Sequence, residues 1–520
     1  MGNVRTYSKK EAALYLTGMF GQNMIYNVVA TGLYYYFQNV ICLNAVALGW
    51  IFAIARVWDA INDPMMGAIV DKTHTKWGKC RPYLLFAPLV ICIITCLAFL
   101  NGDYAAAKAD GSSTKMFLIT AWAAISYILW GMSYTVGDIP LWGIISRMSE
   151  DENDRAKLIS LSRIIASIGA AVVVVSIIAL SQAANKAFGE DDNAQKGFII
   201  VGMVITVIAS LLFECAGLGA RERVPDSDEH KTMKESFALM WKCKPFRRIL
   251  ISGILRAPLQ LMMTIIMTLF SYYYCSGDLT TAFTDMNKFI IVVFVGGGFF
   301  IGQFAAMVVC PMLMKKLDVK TIYNLTAFTS VPMVLLFVTY LIAPDRLGQL
   351  NWAAVDGFLL LLSGVGFGTV NVCQSVMISD CIDYEEYNSG YRPDGVFFSG
   401  QSFITKFSAG VSSLISGYVL GAVGYTDSNI DAMNKALKAG KVFAVDFPQY
   451  SKAMWFLITI PPAIGMIISI IPTIKYEITN KSHQKMLSEL VERHTEMEKQ
   501  LNGRKDAYWH YNLKTENSES

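Results

Sequence analysis

Residues 56–83 read RVWDAINDPMMGAIVDKTHTKWGKCRPY. Up to Val70 this stretch is mostly apolar, yet it holds Arg56, Asp59 and Asp63; a short basic loop with Lys72, Lys76, Lys79 and Arg81 follows. At about 100° per residue, positions i, i+3 and i+7 fall within an arc of roughly 60° on one helix face. The flanking runs 44–55 and 82–101 are almost wholly apolar. The charges therefore sit inside an element long enough to cross a bilayer, where ionisable residues face a bundle interior or a water-filled cavity. This single stretch implies a membrane protein of many helices with a polar centre.

The rest of the chain agrees. It has 520 residues, 54% of them hydrophobic and 16% charged, where a soluble domain carries about 25% charged residues. Apolar runs of roughly 20 residues, enough to cross about 30 Å of hydrocarbon, recur from end to end. They predict spans at 12–40, 44–70, 82–101, 116–148, 157–182, 196–218, 247–275, 287–314, 321–343, 353–381, 395–424 and 452–474. The predicted fold class is an all-α integral membrane protein of twelve transmembrane helices in two six-helix bundles. The bundles are 1–218 and 247–474, with a charged middle loop at 219–246 and a polar tail at 475–520.

Lys and Arg concentrate in one set of loops: 72–81, 147–157, 221–248 and 315–320. The alternate loops are poor in them, except 425–451 with Lys435, Lys438 and Lys441. The positive-inside rule then places both termini in the cytoplasm. The formal charge of +3 is too near neutral to point to nucleic acid. Ten cysteines are scattered with no CxxC or Cys/His cluster and read as packing residues. The start MGNVRT fits an N-myristoylation pattern, and no cleavable signal is evident. In the tail, Met486, Leu487, Leu490, Val491 and Met497 suit a surface helix over Lys481–Leu501.

Other polar residues also fall within spans. YTVGDIPLW places Asp138 and Trp142 at i,i+4, with Thr135 a turn earlier and Gly137 and Pro140 able to open the backbone. Arg163 begins the fifth span and Lys406 lies mid-way along the eleventh. Several carboxylates in one low-dielectric cavity cannot all stay ionised unless a cation joins them or some take up protons. Asp59, Asp63, Asp138 and the Thr135 hydroxyl make a hard-oxygen set suited to Na+ or Li+, with Lys406 as the partner when the cation is absent. Trp142 offers a ring to stack on a sugar, and Asp138 and Arg163 can form bidentate hydrogen bonds with hydroxyls. Asn23, Tyr26 and Asn27 on the first helix, with Ser399, Gln401, Ser402, Thr405 and Lys406 on the eleventh, complete the polar inventory. Each of these can equally be a helix–helix hydrogen bonder.

Three stretches carry a family resemblance: the opening one, YTVGDIPLW with the following Arg163, and SDCIDYEEYNSGYRPDGVFFSGQSFITK at 379–406. In this order and spacing the chain resembles the glycoside–pentoside–hexuronide:cation symporters, a branch of the major facilitator superfamily. The resemblance implies the major facilitator fold and import of a sugar or glycoside (galactoside, glucoside, xyloside or glucuronide) driven by Na+, Li+ or H+, with no other cofactor. It makes Asp59 and Asp63 cation ligands, with Asp138 and Thr135 near the same ion. Asp138, Trp142, Arg163 and Lys406 are implied at the sugar. Asp71, Lys79 and Arg81 resemble a cytoplasmic gating motif, matched by Asp380, Asp383, Glu386, Arg392 and Asp394. Two positions depart from the melibiose-transporting pattern: Asn23 replaces a sugar-binding aspartate and Asn371 a tryptophan, so α-galactoside specificity does not transfer.

The partners expected are thus a sugar, a monovalent cation and the lipid bilayer of the cell membrane. A lysolipid carrier of the same family is the competing reading, disfavoured by the polar residues Asn23, Trp142, Arg163 and Gln401. A non-transporting sugar sensor acting through the tail is another. An enzyme is excluded as a reading, because carboxylates one helical turn apart on one face cannot flank a glycosidic bond.

Overall fold

The computed structural model describes residues 6–41, 43, 45–187, 195–224, 233–275, 286–345, 349–425 and 427–496. The acylation pattern at 1–5 and the tail from Met497 onward, Leu501 included, lie outside the described residues.

Twelve rods follow in order. α1 is Lys9–Asn27, prolonged by π-helical turns at Val28–Leu33 and Tyr36–Val40. It starts where it does because Ser8 and Glu11 form a capping box that satisfies two backbone N–H groups reciprocally. α2 is Ala45–Asp71, α3 Arg81–Phe99, α4 Ser113–Gly143, α5 Glu152–Ala187 and α6 Gln195–Gly219. α7 is broken: Lys244–Leu255 and Leu261–Cys275 are joined by a 3-10 turn, Ala257–Gln260, where Pro258 has no N–H to give the helix ladder. α8 is Met286–Met314. α9 runs as Val319–Leu325 and Ser330–Ile342 through a 3-10 turn, Thr326–Thr329. α10 is Leu350–Ser389, α11 Asp394–Ala422 and α12 Pro448–Ile474. Short helices Met233–Lys242 and Asp427–Lys438 occupy segments that hydropathy reads as loops. A final helix, α13, covers 480–496.

Nine of the described helices are long and apolar enough to cross a membrane, ten if the two parts of α7 count as one. α1 and α2 are not among them. Large apolar side chains face outward all round: Trp50 is 67% exposed, Phe117 70%, Leu211 68% and Phe328 72%. On a water-soluble protein this would be a liability over the whole surface; against lipid it is the expected exterior. Several helices overshoot the predicted spans, above all α10, which continues eight residues past 381 to Ser389. Asp383 and Glu386 look like loop residues to a hydropathy window, but buried partners let the helix carry them.

α1 packs on α5 and α6, α3 on α4 and α6, and α2 on α4; in the second set α8 packs on α10, and α7 and α9 on α12. The two sets meet where α2 and α4 lie against α11, and α5 against α8 and α10. Backbones touch at the α2–α11 crossing. A Cβ on Gly67 would lie 2.6 Å from the Gly395 carbonyl oxygen, and one on Gly395 only 2.3 Å from that of Gly67. Glycine at both positions lets the two sets close on each other at the end of the bundle that carries the basic loops.

Candidate transport site

At mid-depth between the two sets, α11 delivers Lys406 to oxygens from α2 and α4. Lys406 Nζ donates to Asp63 Oδ1 at 2.8 Å and to Thr135 Oγ1 at 3.5 Å, and lies 3.4 Å from Asp59 Oδ1. Thr135 Oγ1 also donates to Asp63 Oδ1 at 2.9 Å. Asp63 is fully buried, and its Oδ2 has no hydrogen-bond partner among the described residues. One face of α2 therefore presents two carboxylates and α4 a hydroxyl, all within reach of one ammonium.

Asp138, a turn further along α4, is buried beside this group. Gln22 Nε2 donates to its Oδ1 at 2.7 Å and Ser402 Oγ to its Oδ2 at 3.5 Å. Gln22 also bonds the Tyr134 hydroxyl and accepts from Asn23 Nδ2 at 2.6 Å. Asn27 is turned to its own helix, donating to the Asn23 carbonyl. Tyr26, Trp130 and Tyr134 form an aromatic wall, with Trp130 and Tyr134 stacked at 5.1 Å between centroids. This wall, with Phe52, Asp59 and Lys406, bounds a cavity of about 610 Å3 in the half of the bundle away from the basic loops. That size and lining, apolar with a few convergent polar groups, is typical of a small-molecule site.

Trp142 and Arg163 lie deeper. The Arg163 guanidinium covers the Trp142 ring at 4.2 Å from its centroid and donates to Ser375 Oγ at 2.7 Å. Ser375 in turn bonds Gln401 Oε1 at 2.8 Å. Asn371 donates to the Phe367 carbonyl and lines a second, smaller cavity with Arg163. Sequence reasoning missed Gln22, Tyr134 and, in that smaller cavity, Arg256 and Gln374. Gln22 precedes the noticed Asn23, and its signal was only that position. Arg256 was legible as a charge within the span 247–275.

The basic-loop end is closed by buried charge. Asp71, at the end of α2, accepts from the backbone N–H groups of Gly395 (2.7 Å) and Val396 (2.9 Å). It thereby caps the N-terminus of α11, where four N–H groups lack intrahelical partners and negative charge is favoured. Lys79 Nζ stands 3.9 Å from Asp71. Arg81 does not join them: its Nε donates to the Gly217 carbonyl and its backbone N–H to Glu222. Arg147 pairs with Asp394 (2.9 Å) and Glu222 (2.7 Å). Arg392, 1% exposed, reaches Asp383 and Asp394 at 3.1 Å each, Glu386, and the Ser146 carbonyl at 2.8 Å. Arg155 on α5 holds the other side of Asp383 at 2.5 Å.

The tail joins this lock. His483 and His494 share the buried stripe of α13 with Met486 and Leu490. His483 Nε2 lies 3.0 Å from Asp383, and its Nδ1 3.5 Å from Glu152 and 3.7 Å from Asp380. His494 Nε2 lies 2.7 Å from Glu386. The tail is thus packed into this buried charge cluster, not lying free on a surface. The two histidines, eleven residues apart, fell on the same apolar stripe in the sequence. Burial alone pushes the His483 imidazolium down, but Asp380, Asp383 and Glu152 outweigh it and hold its pKa at about 10. A group raised above its ordinary value of about 6.5 contributes fully below that value and less as pH rises through the folded one. Docking of α13 is therefore expected to be complete at neutral pH and to weaken as pH approaches 10. Limited proteolysis of the purified protein between 475 and 496 reads this directly. His483→Gln is expected to expose the tail already at neutral pH, with a docking loss of about 3–5 kcal/mol.

The isoprimeverose transporter of Lactiplantibacillus pentosus is 26% identical over 92% of this chain and 90% of its own length. The glucuronide carrier protein homolog of Escherichia coli (strain K12) is 23% identical over 80% of this chain and 84% of its own. In fold, the chain superposes on the E. coli fucose:proton symporter with a TM-score of 0.56 at 13% identity, covering 90% of this chain and 98% of that one. The sequence profile of the family described as MFS/sugar transport protein matches residues 14–480, so the chain belongs to that family of membrane transporters.

Proposed function

We propose that the protein is a symporter that couples import of a sugar or glycoside to a monovalent cation, Na+, Li+ or H+, by alternating access. In this reading it sits in the cell membrane with its basic-loop end and both termini in the cytoplasm. The observation that carries the proposal is Lys406: an ammonium on the second helix set reaches Asp59, Asp63 and Thr135 oxygens on the first. A cation entering from the 610 Å3 cavity competes for those same oxygens. Two charges of one sign cannot share them at such distances in a low dielectric, so cation binding releases Lys406 from α2 and alters the α2–α11 contact.

The sugar lies between the aromatic wall and Asp138, whose other oxygen is steadied by Ser402. Because Thr135 and Asp138 are a turn apart on α4, ordering the cation site also orders the sugar site. Linkage requires the converse, so sugar must tighten cation binding by the same factor. The names of the relatives, an isoprimeverose transporter and a glucuronide carrier homolog, support the sugar part of the same reading.

Asp59→Cys tests it. In vesicles, sodium- or proton-driven accumulation of the transported sugar is expected to vanish, while equilibrium exchange of sugar across the membrane persists. Undiminished uphill accumulation would overturn the coupling role.

A further inference from the structure

Two guanidinium groups, one on buried Arg256 and one on half-buried Arg163, face one cavity, and among the described residues neither is paired with an acid. Arg256 lies at the break of α7, 6% exposed, and its partners are neutral: the Tyr323 hydroxyl and Gln374 Oε1. Arg163 bonds Ser375 and stacks on Trp142, and its Nε has no hydrogen-bond partner among the described residues. Neither arginine has a carboxylate at ion-pair distance among the described residues. Both line a small cavity of about 70 Å3 together with Gln260, Asn371, Gln374 and Thr405.

A buried cation without an anion is costly, and two beside one cavity are costlier still. The charges of the central region make the pattern clearer. Among the described side chains, Asp59, Asp63 and Asp138 balance Lys406, Arg163 and Arg256. A bound coupling cation then leaves one positive charge in excess. A substrate bearing one negative charge returns the loaded carrier to neutrality, the state cheapest to move through a low-dielectric interior.

We propose that the sugar carries a carboxylate, as in a hexuronic acid or its glycoside, and that Arg256 and Arg163 receive it. This rests on the symport reading above and deepens it. The planar guanidinium fork suits a planar carboxylate, and 70 Å3 holds such a group but not a sugar ring. The ring belongs in the larger cavity: Thr405 lines the small one and its neighbour Lys406 the large one. Asn371 and Gln374 supply amides at the carboxylate's edge. The break at Pro258 places Arg256 at mid-depth without continuing the helix through the cavity.

The test uses an isosteric pair, methyl β-D-glucuronide and methyl β-D-glucoside, competing for uptake in vesicles and for binding to the purified protein. The wild type is expected to prefer the acid by about 10- to 100-fold, the worth of hydrogen bonds to a charged group. Arg256→Gln is expected to erase most of that ratio, and Arg256→Lys to keep part of it; thermal unfolding without ligand shows whether each variant folds. A wild type that takes the two alike, or prefers the glucoside, overturns the proposal. So does an Arg256→Gln protein, or, if that variant does not fold, an Arg256→Lys protein, with the ratio unchanged. Cation-driven accumulation of the neutral glycoside alone would sink the anionic reading and leave the symporter standing. Accumulation of no glycoside under any cation gradient would sink both.

Discussion

Arg392→Ala is expected to open the basic-loop end of the transporter. Arg392 is the centre of the lock: it reaches Asp383, Glu386 and Asp394 as well as the Ser146 carbonyl. Ser146 belongs to the first helix set and the three acids to the second, so this one side chain both neutralises the acids and ties the halves. Asp383 would keep Arg155 and His483, and Asp394 would keep Arg147. Even so, removing one partner from a buried charge cluster leaves uncompensated charge, and costs about 3–5 kcal/mol. If that cost falls on the closed form, the ratio of closed to open shifts by roughly 10²- to 10³-fold or more. Cys80 reports the outcome, because it is fully buried in the closed gate beside Gly143 and Glu222. Peptide-resolved labelling by a membrane-impermeant maleimide is expected to be negligible in the wild type and fast in the variant. Unchanged Cys80 reactivity would show that the lock does not depend on its central guanidinium.

The second large effect is expected at Lys406→Met. Methionine keeps the length of the side chain but leaves Asp59 and Asp63 without the ammonium that both face. In buffer free of the coupling ion the variant is expected to lose about 3–5 kcal/mol of stability, as for any broken buried pair. The loss should be reversed by the ion itself. A cation at 100 times its dissociation constant returns about 2.7 kcal/mol, so the thermal midpoint becomes far more ion-dependent than in the wild type. Screening Na+, Li+ and acidic pH in this background also identifies the coupling ion. Adding Asp63→Asn removes the stranded charge, and the double variant is expected to be more stable than Lys406→Met alone. A Lys406→Met protein as stable as the wild type without ions would remove the ammonium from the cation cycle.

Much of this was readable along the chain. Asp59 and Asp63 announce themselves because two acids one turn apart in an apolar helix have nowhere to go but inward. Asp71, Asp383, Arg392 and Asp394 were visible as charges at helix ends. What a one-dimensional reading lacks is the contact each side chain finally makes. Arg81, beside Lys79 in the same basic loop, turns to the end of α6; Trp142, a free ring in sequence, has its face covered by Arg163. The histidines of α13 look like ordinary tail residues until that helix packs into the gate.

The division has a physical cause. Hydropathy and the spacing of charges are local properties, and the solvent acts on each helix separately, so the twelve spans, the polar faces and the family were determined by the sequence alone. Which polar face meets which other is decided by close packing between distant segments. Lys406 is 343 residues from Asp63, and Arg256 shares a cavity with Arg163 only because α5, α7, α10 and α11 converge there. The acidic pair on α2, with Lys406 and Thr135 as its candidate companions, belonged to the sequence; the contacts that join them and the unpaired arginines nearby belong to the fold.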